Sequence, residues 1–225
     1  MSTQNPNEDI PIKVIINSPI KGELELDKGS INVVSGRRYK TYLLESIYSA
    51  LAGREQNDVD IRVEHGLAYI HIRNSLVESH GKLPFNAILF PEDFINDERI
   101  IDLVEAFKKG IRYDYYRVKL PESFERLYYD PEEKKLYVEK QEEWVPFNKA
   151  STSEKKIATL STLTESGLLG DPMTTILLFD EPNSSLHPSD ELKLAYTLAL
   201  LAEKGYTIVV STDDMDMIMI LSCID

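Results

Sequence analysis

Residues 176–188 read ILLFDEPNSSLHP, an unbroken apolar run that stops at two adjacent acids, Asp180 and Glu181. A short apolar run of this kind fits a strand buried on both faces of a parallel sheet, which commits the chain to an α/β layering. Such a strand delivers its carboxylates to the C-terminal edge of the sheet, where open α/β folds bind ligands. A magnesium nucleotide would sit at that edge. Asp180 can hold the metal, and Glu181 is placed to orient or deprotonate a water for attack on a phosphoryl group. A buried strand ending in a solvated acidic turn leaves the same local pattern, so the rest of the chain has to arbitrate.

With 225 residues the chain can build one sizeable core and carry a small inserted lobe. No apolar run approaches the roughly 20 residues of a membrane span, and the polar, proline-bearing start MSTQNPNEDIP is unlike a signal peptide. The single cysteine, Cys223, excludes an internal disulfide, and the expected location is the cytoplasm, with no membrane partner. Four scattered histidines and one cysteine offer no zinc-ligand spacing. A net charge of −13 disfavours a surface built to neutralise nucleic-acid phosphates. Local basic patches exist at Lys108, Lys109 and Arg112 and at Lys155 with Lys156; solvated helix faces explain both.

Along the chain, VIINSPI and GELELDKGSINVV predict strands, the second broken by a turn at Asp27–Gly29, with INVV suited to a central strand. After SGRRYKT, apolar positions 43, 44, 47, 48 and 51 share one helical face, closed by Gly53. DVDIRVEH and LAYIHIRN, separated by Gly66, predict an antiparallel hairpin. Residues 75–126 read as an irregular inserted lobe with a helix from Asp97 to Lys109 and the aromatic segment IRYDYYRVKLP, more suited to packing than to stacking on bases. ERLYYDPEEKKLYVEK predicts a second hairpin, turning at Asp130 and Pro131. The segment 144–147 leads into a helix at ASTSEKKIATLSTLTESG, and after the acidic strand come a helix from Asp190 to Lys204, the strand YTIVVST and a short last helix.

Two loop-to-helix junctions complete the chemistry. A phosphate-binding loop needs a buried strand, glycines that admit backbone amides, a lysine for phosphate oxygens and a hydroxyl for magnesium. INVVSGRRYKTYLLESI supplies the strand, Gly36, Lys40, Thr41 and the helix in that order. The interval from Gly36 to Lys40 is shorter than in G-x-x-x-x-G-K-[ST], and Tyr39 stands where the second glycine belongs. Fewer amides can line the loop, and a tyrosine is strained at any positive φ. Arg37 and Arg38 can compensate as charged donors. At the second junction, Ser151 and Ser153 begin a helix with Glu154 in its first turn, the pattern of an N-cap and also of an anion site.

In order, these pieces resemble the ABC-type ATPase heads of the chromosome-maintenance, RecF-like and OLD-like group. The resemblance rests on ELELDKGSINVVSGRRYKTYLLESI, the hairpin before ASTSEKKIATL, ILLFDEPNSSLHP and IVVSTDDMDMI, and leaves only 75–126 unmatched. It implies an ABC-type P-loop NTPase: one domain over 1–225, a mainly parallel central sheet, an antiparallel β subdomain and a small α-containing insertion. It further implies that Lys40 and Thr41 occupy the Walker A positions, with Gly36, Arg37 and Arg38 beside them on the nucleotide. Asp180 matches the magnesium acid, Glu181 the catalytic base, Ser151 to Glu154 the ABC signature, and Ser184 to His187 the D-loop. In such families the signature of one subunit closes over the nucleotide of the other, so ATP, Mg2+ and a homodimer are the implied cofactors and partner. This chain departs from the pattern at Ser153, where a glycine is usual, at Asp213, where the switch histidine is expected, and in having no convincing Q-loop glutamine. An aspartate facing a triphosphate repels it unless a metal intervenes, and these departures together with the shortened Walker A loop imply slow or lost hydrolysis. The alternative is a non-catalytic interaction module that retains the fold around a degenerate nucleotide site. A transporter motor fits poorly, since no coupling segment is identifiable. No long heptad run extends the head, so any DNA contact would have to come from the compact head, the insertion or another protein, and a protein partner is a further expectation.

Overall fold

The structure is a computed structural model that describes residues 10–18, 21–36, 38–140 and 143–223. The strands are β1 (Ile12–Ser18), β2 (Gly22–Leu26), β3 (Ile31–Val34), β4 (Asp60–His65), β5 (Ala68–Arg73), β6 (Leu76–His80), β7 (Asn86–Phe90), β8 (Arg126–Asp130), β9 (Lys135–Lys140), β10 (Glu143–Pro146), β11 (Thr175–Asp180) and β12 (Thr207–Ser211). The helices are α1 (Lys40–Leu51), α2 (Glu98–Lys108), α3 (Thr152–Ser166), α4 (Pro188–Lys204) and α5 (Met215–Ser222).

At the centre lies a parallel sheet in the order β3-β12-β11-β7. Every residue of β11 and β12 is buried, as expected of strands covered on both faces. The pleat divides their side chains between two cores. Leu177, Phe179, Ile208 and Val210 face α3, α4 and α5, where Phe90 stacks on Phe179 with ring centroids 4.5 Å apart. Ile176, Leu178 and Val209 face α1, through Leu44 and Ile47, and the antiparallel sheet β2-β1-β4-β5-β6. Full burial of such a side chain contributes about 1.5–3 kcal/mol, so the sandwich holds the central strand ends firmly in place. A third sheet, β10-β9-β8, packs through Leu127 and Val138 on Ala158 of α3, and the Leu127 amide donates to Thr162 Oγ1 at 2.7 Å.

Both expected hairpins form, β4–β5 around Gly66 and β8–β9 after Asp130. Two features of the organisation emerge only in the structure. The turn at Asp27–Gly29 does more than interrupt a strand: β2 pairs with β1 in the antiparallel sheet, while β3 crosses to the parallel one. The stretch 75–126, expected as an inserted lobe, contains two sheet strands that the sequence did not indicate. Its first part supplies β6 to the antiparallel sheet and β7 to the parallel sheet beside β11. α2 and the aromatic segment follow, and the latter is pinned when the Tyr113 amide donates to the Ser166 carbonyl at 2.9 Å. At the end of α3, Gly167 has φ 70°, and a Cβ there would collide with the Tyr113 carbonyl. Among the described residues no helix is long and apolar enough to cross a membrane.

Candidate functional site

Three strands of the parallel sheet end in register. Asp180 of β11 pairs with Ser211 of β12, which pairs with Val34 of β3. The loops leaving these ends carry most of the residues expected at the site, so positions distant in sequence meet at one C-terminal sheet edge.

From β3 the chain passes Ser35 and Gly36, whose φ is 142°, and enters α1 through Tyr39. Arg37 lies outside the described residues, and Arg38 is exposed. Tyr39 adopts φ 72° and ψ 6°, the left-handed conformation that favours glycine, with its side chain half exposed. The tyrosine thus takes the strained backbone expected of the missing glycine. No side chain caps α1, and no acid lies in its first turn.

Lys40, the first residue of α1, is largely buried and reaches two carboxylates. Its Nζ lies 2.9 Å from Glu181 Oε1 and also contacts Asp213 Oδ2. Burial alone would pull the lysine pKa down, but the hydrogen bonds and charges of Asp213 and Glu181 outweigh it, and the value is raised. Asp213 also accepts from the Gly36 amide at 2.9 Å. Thr41 is exposed at the same helix start.

Asp180 is 4% exposed and accepts from Ser211 Oγ at 2.5 Å. Glu181 turns away from the strand with φ 44°, its amide donating to the Ser211 carbonyl at 3.0 Å. Ser211 thus positions both acids, a role not foreseen from the sequence; its only signal is a hydroxyl at the end of a neighbouring buried strand. Among the described residues no group of three or more His, Cys, Asp or Glu forms a metal cage. A magnesium site of the nucleotide type does not need one, because that ion uses one or two protein ligands and completes its shell with phosphates and water. Asp180 and Thr41 are suited to that task. The loop also fits an oxyanion, since a Gly36 amide and a Lys40 ammonium already converge on a single anionic group.

At the start of α3 the chain's own groups occupy the helix N-terminus. Ser151 is exposed and closes a complete capping box: its Oγ accepts from the Glu154 amide at 3.2 Å, and Glu154 Oε2 accepts from the Ser151 amide at 2.9 Å. A hydrogen bond from Lys140, followed by that of the Ser151 amide, pulls the Glu154 pKa down to about 2. Ser153 points inward. It is 8% exposed, and its hydroxyl donates to Asp190 Oδ2 at 2.5 Å and accepts from the His187 amide at 3.2 Å. Asp190 pairs with Lys193 at 3.0 Å, and Lys193 with buried Glu125 at 2.7 Å. Nearby, buried Lys156 donates to the Ser184 carbonyl at 2.7 Å, tying α3 to the loop after β11; burial lowers its pKa. Sequence reading assigned Lys156 to a solvated face and missed this contact.

An apolar groove of about 1010 Å³ lies between α4 and α5, lined by Leu192, Tyr196, Leu200 and Met219. It lacks the convergent donors that a phosphate requires, so chemistry rather than volume selects the sheet edge.

A family model described as "AAA domain, putative AbiEii toxin, Type IV TA system" matches residues 35–215. The crystal structure of the SmcHead bound to the C-winged helix domain of ScpA is similar at TM-score 0.59 and 12% identity, covering 94% of this chain and 91% of that one. A putative metal-chelate type ABC transporter in an inward-facing conformation is similar at TM-score 0.51 and 14% identity, covering 94% of this chain and 76% of that one. Comparison with curated proteins yields no match. At these identities the structural likeness is one of fold: an α/β, ABC-type P-loop NTPase head.

Proposed function

We propose that this chain, which belongs to the AAA-domain family matched over residues 35–215, is a nucleotide-operated switch that binds MgATP, closes on a second copy of itself and hydrolyses the nucleotide slowly. Its ABC-type fold points to nucleotide binding as the coarse function. The observation that carries the finer reading is the convergence of Gly36, Lys40, Asp180, Glu181 and Asp213 from three loops onto one sheet edge.

In this reading the Gly36 amide, Arg37, Arg38 and Lys40 take the phosphates, and Thr41 and Asp180 hold magnesium. Bound magnesium neutralises charge on the phosphate oxygens. Glu181 orients the attacking water and accepts its proton. Its ion pair with Lys40, together with an acid where the family uses a switch histidine, supports slow turnover. Exposed Ser151 supports a role for the α3 start in facing the nucleotide of a second subunit, with Ser153 holding that start in place from inside. The single cysteine supports a cytoplasmic setting, and the net charge of −13 favours a protein over DNA as any further partner.

Steady-state phosphate release is the test. Glu181→Gln should lower the rate about 100-fold while leaving MgATP binding intact, and equal rates in the two proteins would reject the catalytic assignment. Light scattering with MgATP should show the Glu181→Gln protein accumulating as a dimer.

The non-catalytic alternative draws support from the left-handed Tyr39 and from a lysine already engaged by two acids. Calorimetric titration separates the two readings. Binding of MgATP tighter than roughly 100 μM, about 5.5 kcal/mol, is incompatible with a dead site.

A further inference from the structure

Asp213 holds two of the donors that the loop would offer an incoming oxyanion. One carboxylate oxygen accepts from the Gly36 amide at 2.9 Å, and the other meets the Lys40 ammonium, a bridge between positions 177 residues apart. Its neighbours on both sides are anchored. The Thr212 amide donates to the Val34 carbonyl at 3.1 Å, and the Thr212 hydroxyl donates to Asn183 Oδ1 at 3.1 Å. On the other side, Asp214 caps α5, accepting from the Asp216 and Met217 amides at 2.8 and 3.1 Å. The backbone flanking Asp213 is therefore fixed to β3 and to α5, and its carboxylate is presented to the loop rather than swinging in solvent.

We infer that Asp213 is an intramolecular stand-in for a phosphate, a latch that nucleotide must displace to enter the loop; the inference rests on the nucleotide reading above. Its geometry follows from the two oxygens of a carboxylate, which span an amide and an ammonium much as two oxygens of a phosphoryl group do. The latched state lowers apparent affinity in proportion to its population, because only unlatched molecules can accept nucleotide. Lys40 also holds Glu181, so the same displacement that draws the lysine onto phosphate releases the acid proposed to act on water. Occupancy of the loop and availability of the base are then set by one side chain.

Calorimetric titration of MgATP into the wild type, Asp213→Asn and Asp213→Ala at matched ionic strength tests the latch. Asparagine keeps an oxygen for the Gly36 amide and removes the charge from Lys40, whereas alanine removes both contacts. The exposed position of Asp213 makes both changes compatible with folding. The latch requires Asp213→Asn to bind roughly tenfold more tightly than the wild type, and Asp213→Ala at least as tightly as Asp213→Asn. Binding by the variants alone also supports it. Equal or weaker binding by the variants, with the wild type binding, overturns the latch and leaves the nucleotide reading standing. Binding by none of the three proteins up to millimolar MgATP overturns the nucleotide reading, and the latch with it.

Discussion

Helix α1 starts at Tyr39, in the left-handed region, with no side chain accepting from its first turn, whereas α3 starts at Ser151 inside a complete capping box. Both positions suit an anion, because the first amides of a helix lack intrahelical partners and the dipole favours negative charge there. The α3 start carries its own anion, Glu154, in its first turn. The α1 start has none; the acid nearest this junction is Asp213, from the far end of the chain, which meets the Lys40 side chain and the Gly36 amide of the preceding loop rather than the first-turn amides. The contrast separates a junction that is complete by itself from one that is completed by something exchangeable. It also explains why the serine-rich α3 start is not an anion site within one subunit, although its composition suits one.

Substitution of Lys40 should break the contrast most severely. Lys40→Met removes the cation shared by Glu181 and Asp213, and MgATP affinity measured by calorimetry should fall at least tenfold, roughly 1.4 kcal/mol or more. Ser151→Ala in the monomeric protein should leave that affinity within about twofold, since the α3 start acts on its own helix. An equal loss in both variants would erase the distinction between the two junctions.

Stability should respond in the opposite pattern. Ser151→Ala and Glu154→Gln should each destabilise the fold by about 1 kcal/mol in urea titrations. For Glu154 the folded-state pKa of about 2 lies below the ordinary 4.5. Its contribution is therefore complete above 4.5 and is lost as pH falls toward about 2, so the wild-type advantage over Glu154→Gln should shrink across that interval. A gap that stays constant over the same range would remove the charged capping contact from the account.

The smallest expected effect is at Tyr39. Tyr39→Gly relieves a left-handed tyrosine whose half-exposed ring packs little, and should stabilise the fold by about 0.5–1 kcal/mol, net of the added freedom of the unfolded chain. A loss of stability would mean that the ring supports the loop, and the α1 start would then be less open than its backbone suggests.

Much of the architecture was legible because its signals are local. The apolar run before Asp180 is a wholly buried strand, the period-two stretches around Gly66 and Asp130 are hairpins, and Ser151 with Glu154 is a cap. NAILF at β7 was not recognised, because a short run between Pro84 and Pro91 carries little periodicity, and only its pairing with β11 makes it a strand of the central sheet. The same holds for Asp27–Gly29: the turn is visible in the residues, but not the departure of its two arms to different sheets. The inward turn of Ser153 onto Asp190 is equally hidden, since that hydroxyl meets its acid across 37 residues of chain.

By itself, then, the amino-acid order determined most of the elements, the α3 cap and the arrival of two acids at the end of a buried strand. Each of these depends on side chains within a few positions of one another, where turn chemistry and periodicity act directly. Only the tertiary structure decided which charges meet: Lys40 with Glu181 and Asp213, Asp180 with Ser211, and Ser153 with Asp190. The pairings at the sheet edge arise from the register of parallel strands whose connections run through helices and other sheets, and that of Ser153 with Asp190 from the packing of α3 against α4. No local interval in the chain records that register, because it is the packing of two cores against one sheet that brings the strand ends level.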